Sequence, residues 1–225
     1  MMERLFQLIG FGLCHQLPER SLFAGGYQLP VCARDTGIYI GFAIGLLVLS
    51  VLARGAKPID LPRWPVLAIV GLFIAAMGFD GVTSYAGLRQ TTNDIRLITG
   101  LMTGWGLSAL TLPMLNSQIW ATSGHGRVPE GLPQILVWLG GLGASFVLAR
   151  WLLPLVGVVY PILLVLAILV TFSAVNLVFV GLVPFFERRA VSLRDAIPAL
   201  LVALGLTFVE LAAVAWLRSL AEGVL

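Results

Sequence analysis

Cys14, His15, Cys32 and Asp35 form the richest collection of metal-competent donors in the chain. Thiolate and imidazole suit a transition metal such as zinc, copper or iron, and a carboxylate can complete the set. Two features weaken such a site. Side chains of the neighbours Cys14 and His15 diverge, and Asp35 is a poorer ligand for a soft ion than a thiolate. Two other arrangements use the same residues. Cys14 and Cys32 are the only cysteines, and on an extracytoplasmic face they could form a disulfide worth about 3 kcal/mol. Asp35, directly before Thr36-Gly37 and an apolar run, is also placed as a helix N-cap, the expected role for that residue taken alone.

A second polar cluster follows at Asp80, Arg89, Thr92, Asn93, Asp94, Arg96 and Thr99. Thr92 or Asn93 suits an N-cap, with Asp94 in the first turn opposing the helix dipole. Capping does not account for Arg96 and Thr99, which share a helix face at i, i+3 spacing. An arginine at the hydrocarbon edge needs a partner, and Asp80 or Asp35 is the expected one. Arg20, Arg34, Asp80, Arg96 and Thr99 are therefore candidate ligand-binding residues, with Cys14, His15, Cys32 and Asp35 as candidate metal ligands. Cys14, His15, Cys32, Asp35, Asp80 and Arg96 are expected to converge on one polar site, at which Asp80→Asn would abolish function and spare the fold. Glu210 and Asn176 lie inside later apolar runs, where each needs a partner or a wet cavity. His125, between Gly124 and Gly126, is expected to be solvated.

The stretch Cys14-His15-Gln16, Pro18-Glu19-Arg20-Ser21 and Pro30-Val31-Cys32-Ala33-Arg34-Asp35-Thr36-Gly37-Ile38-Tyr39 resembles a family of predicted bacterial and archaeal membrane proteins. That family is catalogued as a domain of unknown function, number 2085. The likeness continues at Asp80-Gly81 and from Asn93 to Gly100, and covers the first half of the chain. The chain departs from the family pattern at Asp35, where the family carries the second Cys of a Cys-x-x-Cys pair. The resemblance implies a small polytopic protein of the prokaryotic plasma membrane with a shared polar site. It supplies no reaction.

Composition demands the same class independently. Of the 225 residues, 59% are hydrophobic and 11% charged, less than half the charge of an ordinary soluble domain. Mean hydropathy is +0.97. A soluble fold of this size buries only about two-thirds of its surface and could not hide so much apolar area. The chain is expected to be an all-α polytopic transmembrane bundle, since barrel strands alternate with polar residues. Six segments are long enough to span: about Thr36 to Leu52, Trp64 to Phe79 with an extension towards Leu88, Asp94 to Leu115, Leu132 to Leu152, Leu155 to Val183 and Leu193 to Leu217. The run before Cys14 is too short to span, has Phe11 and Leu13 where cleavage needs small residues, and reads as an interfacial helix from Met2 to Leu13. One integral membrane domain over 1–225 is expected, with a polar cap at 1–35 and the bundle at 36–217. Glycines at 37, 41 and 45, and at 100 and 104, mark close helix packing within the chain.

Net charge is +3, but no Lys/Arg run indicates nucleic acid. The 14 cations divide evenly between the two sides of a six-span topology. If Arg20, Arg34, Arg89 and Arg96 serve a site, the balance places the 54–63 and 186–195 loops in the cytoplasm and both termini outside. Neither a phosphate-cradling glycine loop nor a nucleophile elbow or zinc-protease pair is present. Three functions fit: an outward-facing pocket for a transition metal or small polar ligand, a membrane-surface enzyme acting on an anionic lipid head group, or a non-catalytic subunit of a larger membrane complex or homo-oligomer.

Overall fold

The structure, a computed structural model, describes residues 2–223; Met1, Val224 and Leu225 lie outside the described residues. Among the described residues, six helices are long and apolar enough to cross a membrane. The short amphipathic helix α1 (Met2–Phe11) precedes a β-hairpin, β1 (Ser21–Ala24) and β2 (Tyr27–Cys32). The spanning helices are α2 (Ala33–Leu52), α3 (Trp64–Tyr85), α4 (Asn93–Ile119), α5 (Gly131–Val147), α6 (Val159–Gly181) and α7 (Leu193–Glu222). A π-helical turn at Leu148–Leu152 and a 3-10 turn at Leu153–Val156 extend α5. Gly157 then reverses the chain into α6 at φ 58°.

α4 is the central pillar. Some 72% of its apolar window is buried, against 17% for α7, which leaves most of α7 to lipid. Leu97, Leu101, Trp105 and Ala109 form its fully buried stripe. The glycines set its closest neighbour. Gly37 and Gly41 of α2 meet the Leu97 and Leu101 backbone, and Gly100 and Gly104 of α4 meet the Arg34 and Ile38 carbonyls. The two backbones interlock at a distance only glycine permits. Gly141 of α5 lies against the Trp105 ring, whereas Gly140 and Gly143 face open space.

The hairpin is the element that an all-helical expectation lacked. Gly25 and Gly26 turn the chain with φ of 57° and 83°, the two positive angles that a two-residue hairpin turn requires. A Cβ at Gly25 would come within 2.8 Å of the Gly157 Cα, so the hairpin tip rests on the α5–α6 connection. Arg150 Nε donates to Asp94 Oδ1 at 2.5 Å. Arg218 donates to the carbonyls of Phe11 and Cys14. The α1 helix, the hairpin, the 86–92 loop, the 150–158 turn and the end of α7 therefore gather at one end of the bundle. At the opposite end, Pro58 pairs with Gly124 and Trp120 with Ala190. There Lys57 stands 3.6 Å over the Trp120 ring, and Asn116 Nδ2 donates to the Pro58 carbonyl.

Candidate functional site

Two glutamines fix the loop that carries Cys14. Gln16 adopts φ 53° and its amide donates to the Pro30 carbonyl at 2.7 Å and the Gln7 carbonyl at 2.8 Å. Gln28 Nε2 in turn donates to the Gln16 carbonyl at 2.7 Å and to Ser21 Oγ. This loop and β2 bring Cys14 over the start of α2, where the Cys32 N–H donates to Cys14 Sγ at 3.2 Å.

Asp35 does not cap α2. Strand β2 runs on to Cys32, which takes the N-cap place with extended φ and ψ, and α2 begins three residues earlier than expected. Asp35 therefore stands in the first helical turn and accepts from Cys32 Sγ at 3.2 Å. Donor atoms of Cys14, Cys32 and Asp35 all lie within 4.8 Å of one another. Both cysteines are free thiols. His15 is exposed and outside this compact group, as expected for a neighbour whose side chain diverges.

The thiol pair is electrostatically unequal. The Cys14 thiol is pulled down to about 7, first by its hydrogen bond from Cys32 and then by the Gln16 backbone, against burial and the nearby Asp35 carboxylate. The Cys32 thiol is pushed up by the same hydrogen bond to Cys14, by burial and by Asp35. Its thiol donates to Asp35 Oδ2. Of the two thiols, Cys14 is the one whose thiolate is favoured. In metal-free protein, Cys14 alkylation by iodoacetamide should rise with a midpoint near pH 7, because thiolate forms as pH passes upward through the thiol pKa. A midpoint at the ordinary free-thiol value, about 8.5, would show that the hydrogen bond is not made.

Asp80 is the second centre, and its partners differ from those expected. It is 1% exposed, inside the last turns of an α3 that continues to Tyr85. Its carboxylate accepts from Arg34 Nη2 at 2.5 Å, from Arg89, and from Thr91 Oγ1 at 2.7 Å. Arg96 does not pair with Asp80 or Asp35; Arg96 Nη1 donates to Asn93 Oδ1 at 3.0 Å. Thr92 is the N-cap of α4, accepting from the Ile95 N–H. Thr99 donates to the Ile95 and Arg96 carbonyls of its own helix, so its hydroxyl is committed locally.

A cavity of about 170 Å³ unites most of these residues. Cys14, His15, Arg20, Cys32, Arg34 and Arg96 line it together with Leu17, Ser84 and Tyr85. Asp80 stands behind it, holding Arg34. Ser84, Tyr85 and Thr91 were not singled out in the sequence. The Tyr85 ring carries the Arg20 guanidinium at 5.4 Å, a pairing with no signal in the sequence.

The remaining polar residues pair elsewhere. Asn176 Nδ2 donates to Glu210 Oε2 at 2.8 Å and to Thr207 Oγ1 at 3.2 Å, joining α6 to α7. His125 is largely solvated, with Nδ1 3.3 Å from Asp60 Oδ1.

The family model described as "Predicted membrane protein (DUF2085)" matches residues 14–110. An uncharacterized protein of Methanocaldococcus jannaschii is 33% identical over 108 residues, 48% of this chain and 67% of the relative. Another, from Methanothermobacter thermautotrophicus, is 36% identical over 99 residues, 44% of this chain and 84% of the relative. No solved structure matches. The family match takes in the hairpin, α2, α3 and most of α4, and with them every residue lining the cavity; α5 to α7 lie outside it.

Proposed function

The chain belongs to the DUF2085 family of predicted membrane proteins, and we propose that its hairpin end binds a soft divalent cation, zinc being the probe of choice. One observation carries this reading: three donors of metal-ligand type, Cys14, Cys32 and Asp35, lie within 4.8 Å of one another beside an accessible cavity. Zinc takes four ligands, and three protein donors leave one position for His15, water or a second molecule. The donor spacing is compact enough for one ion without unfolding the cap. Two thiolates and a carboxylate would leave the zinc site with one net negative charge, which the flanking arginines oppose. A three-donor site with an open position suits a carrier, sensor or metal-delivery accessory better than a closed structural site.

The site is proposed to face outward, within a single membrane domain. Arg20, Arg34, Arg89 and Arg96 do gather around the cavity and Asp80, which supports setting them aside in the charge count. The loops at the opposite end are then cytoplasmic.

Zinc titration of the detergent-purified protein tests the metal. One equivalent is expected to bind. Cys32→Ser should weaken binding about a hundredfold, and Asp35→Asn about tenfold, because the carboxylate is the poorer ligand for a soft ion. Asp35→Cys replaces that carboxylate with a thiolate and should tighten binding. If neither the wild type nor Asp35→Cys takes up stoichiometric zinc, the proposal is wrong.

A further inference from the structure

We infer that the arginine-lined half of the cavity is a separate site for a phosphate group, free or esterified on a lipid. The inference does not depend on whether the thiols hold a metal. Four guanidiniums, of Arg20, Arg34, Arg89 and Arg96, surround the cavity and its wider outer extension. Asp80 already accepts from two of them, Arg34 and Arg89. Glu19 is the one carboxylate lining either space. Among the described residues, Arg20 and Arg96 have no carboxylate partner. Positive charge in this excess, partly withdrawn from water at a membrane edge, is stabilised by an anion.

The donors are arranged to receive one. Arg20 and Arg96 line both the inner cavity of about 170 Å³ and the outer one of about 490 Å³, and Ser84 joins them in each. Arg20 is held by the Tyr85 ring beneath it, and stacking leaves a guanidinium's in-plane N–H groups free to donate. Arg96 is held through one nitrogen by Asn93, whose amide is itself fixed on the Ser21 carbonyl. Its other donors are uncommitted. Arg34 Nε is buried without a hydrogen-bond partner. A tetrahedral oxyanion with several acceptors matches forked donors from two or three arginines better than a carboxylate does.

The surroundings suit an amphiphile. Val82 is 69% exposed and Leu88 77%, on either side of the Ser84–Tyr85 wall. The cavity thus opens beside a helix end bathed in lipid, where a head group could enter with its chains still in the bilayer.

The test uses full-length protein in a phosphate-free maltoside detergent. Inorganic phosphate and dihexanoyl phosphatidic acid are titrated separately by calorimetry. Binding of at least one is expected. Arg96→Gln and Arg20→Gln should each weaken it about tenfold or more, and Arg96→Lys should restore part of the loss by keeping the charge. Phosphate that competes with the lipid supports recognition of the phosphate group itself. Lipid binding alone supports an esterified phosphate, and phosphate binding alone a soluble one. Absence of both, or binding unchanged in the Arg20→Gln, Arg96→Gln double variant, overturns the inference. Zinc uptake serves as the second readout. Arg96→Gln should retain it, and Cys32→Ser should lose zinc while keeping phosphate, so the two sites fail or stand separately.

Discussion

Asp80→Asn should lower the stability of the solubilised protein by about 3 kcal/mol or more, the usual cost of removing one partner from a buried ion pair. The reason lies in what remains. Asp80 is 1% exposed and its two oxygens serve Arg34 on one side and Arg89 with Thr91 on the other. It therefore ties the start of α2, the end of α3 and the 86–92 loop to one point. The Arg34 side chain is only 14% exposed, so without Asp80 its charge stays near hydrocarbon with no counter-ion. Asn can accept one hydrogen bond per lone pair but carries no charge to oppose two guanidiniums. The expectation that this substitution would spare the fold is thereby reversed. Unfolding in mixed maltoside–dodecyl sulfate micelles measures the loss. The Asp80→Asn, Arg34→Gln double variant should recover part of it, because the stranded charge is gone. A single variant within about 0.5 kcal/mol of wild type, the range of an ordinary surface change, would show that the ion pair is not buried in the micelle.

How far the sequence was legible depends on the kind of force involved. Apolar runs are long and local, so all six spans could be read from them, and their edges missed by a few residues. The third helix shows why. Asp80 interrupts the apolar run after Phe79 and leaves the span's end open as far as Leu88; α3 continues to Tyr85, with Arg34 and Arg89 neutralising the carboxylate from elsewhere. The hairpin was hidden for a different reason. Gly25-Gly26 is a strong turn signal, but Pro30 demotes the second segment as a strand. In a lone two-stranded hairpin Pro30 need not donate outward, and its carbonyl is free to receive Gln16. Once β2 is a strand, Cys32 and not Asp35 must cap α2, and the thiol and carboxylate fall beside each other. Pairing among the arginines was not legible at all. Arg34 and Arg96 are equally plausible partners for Asp80 in one dimension; in the structure both line the cavity, but only Arg34 pairs with Asp80.

Those interlocked backbones should also be the least forgiving part of the molecule. Gly104→Val is expected to prevent recovery of folded protein. A Cβ at Gly104 would lie on the Ile38 carbonyl oxygen and 2.8 Å from both the Ile38 carbonyl carbon and the Phe42 nitrogen. These are backbone atoms inside α2, so no rotamer change can clear them. Relief requires α2 and α4 to separate, and ordinary overpacking already costs about 1–3 kcal/mol where side chains alone must move. Separation also dismantles the site, because the N-cap and first turn of α2 supply Cys32, Arg34 and Asp35 while α4 carries Arg96. Zinc and phosphate binding should therefore be lost together, unlike the separate losses expected from Cys32→Ser and Arg96→Gln. Gly143→Val is the matched control. A Cβ there meets open space on the exposed face of α5, where the bilayer supplies an apolar environment. That variant should elute as wild type in size-exclusion chromatography and bind both probes. If Gly104→Val elutes and binds like Gly143→Val, the α2–α4 glycine contact does not set the distance between the helices, and the placement of Arg34 and Arg96 about one cavity loses its cause.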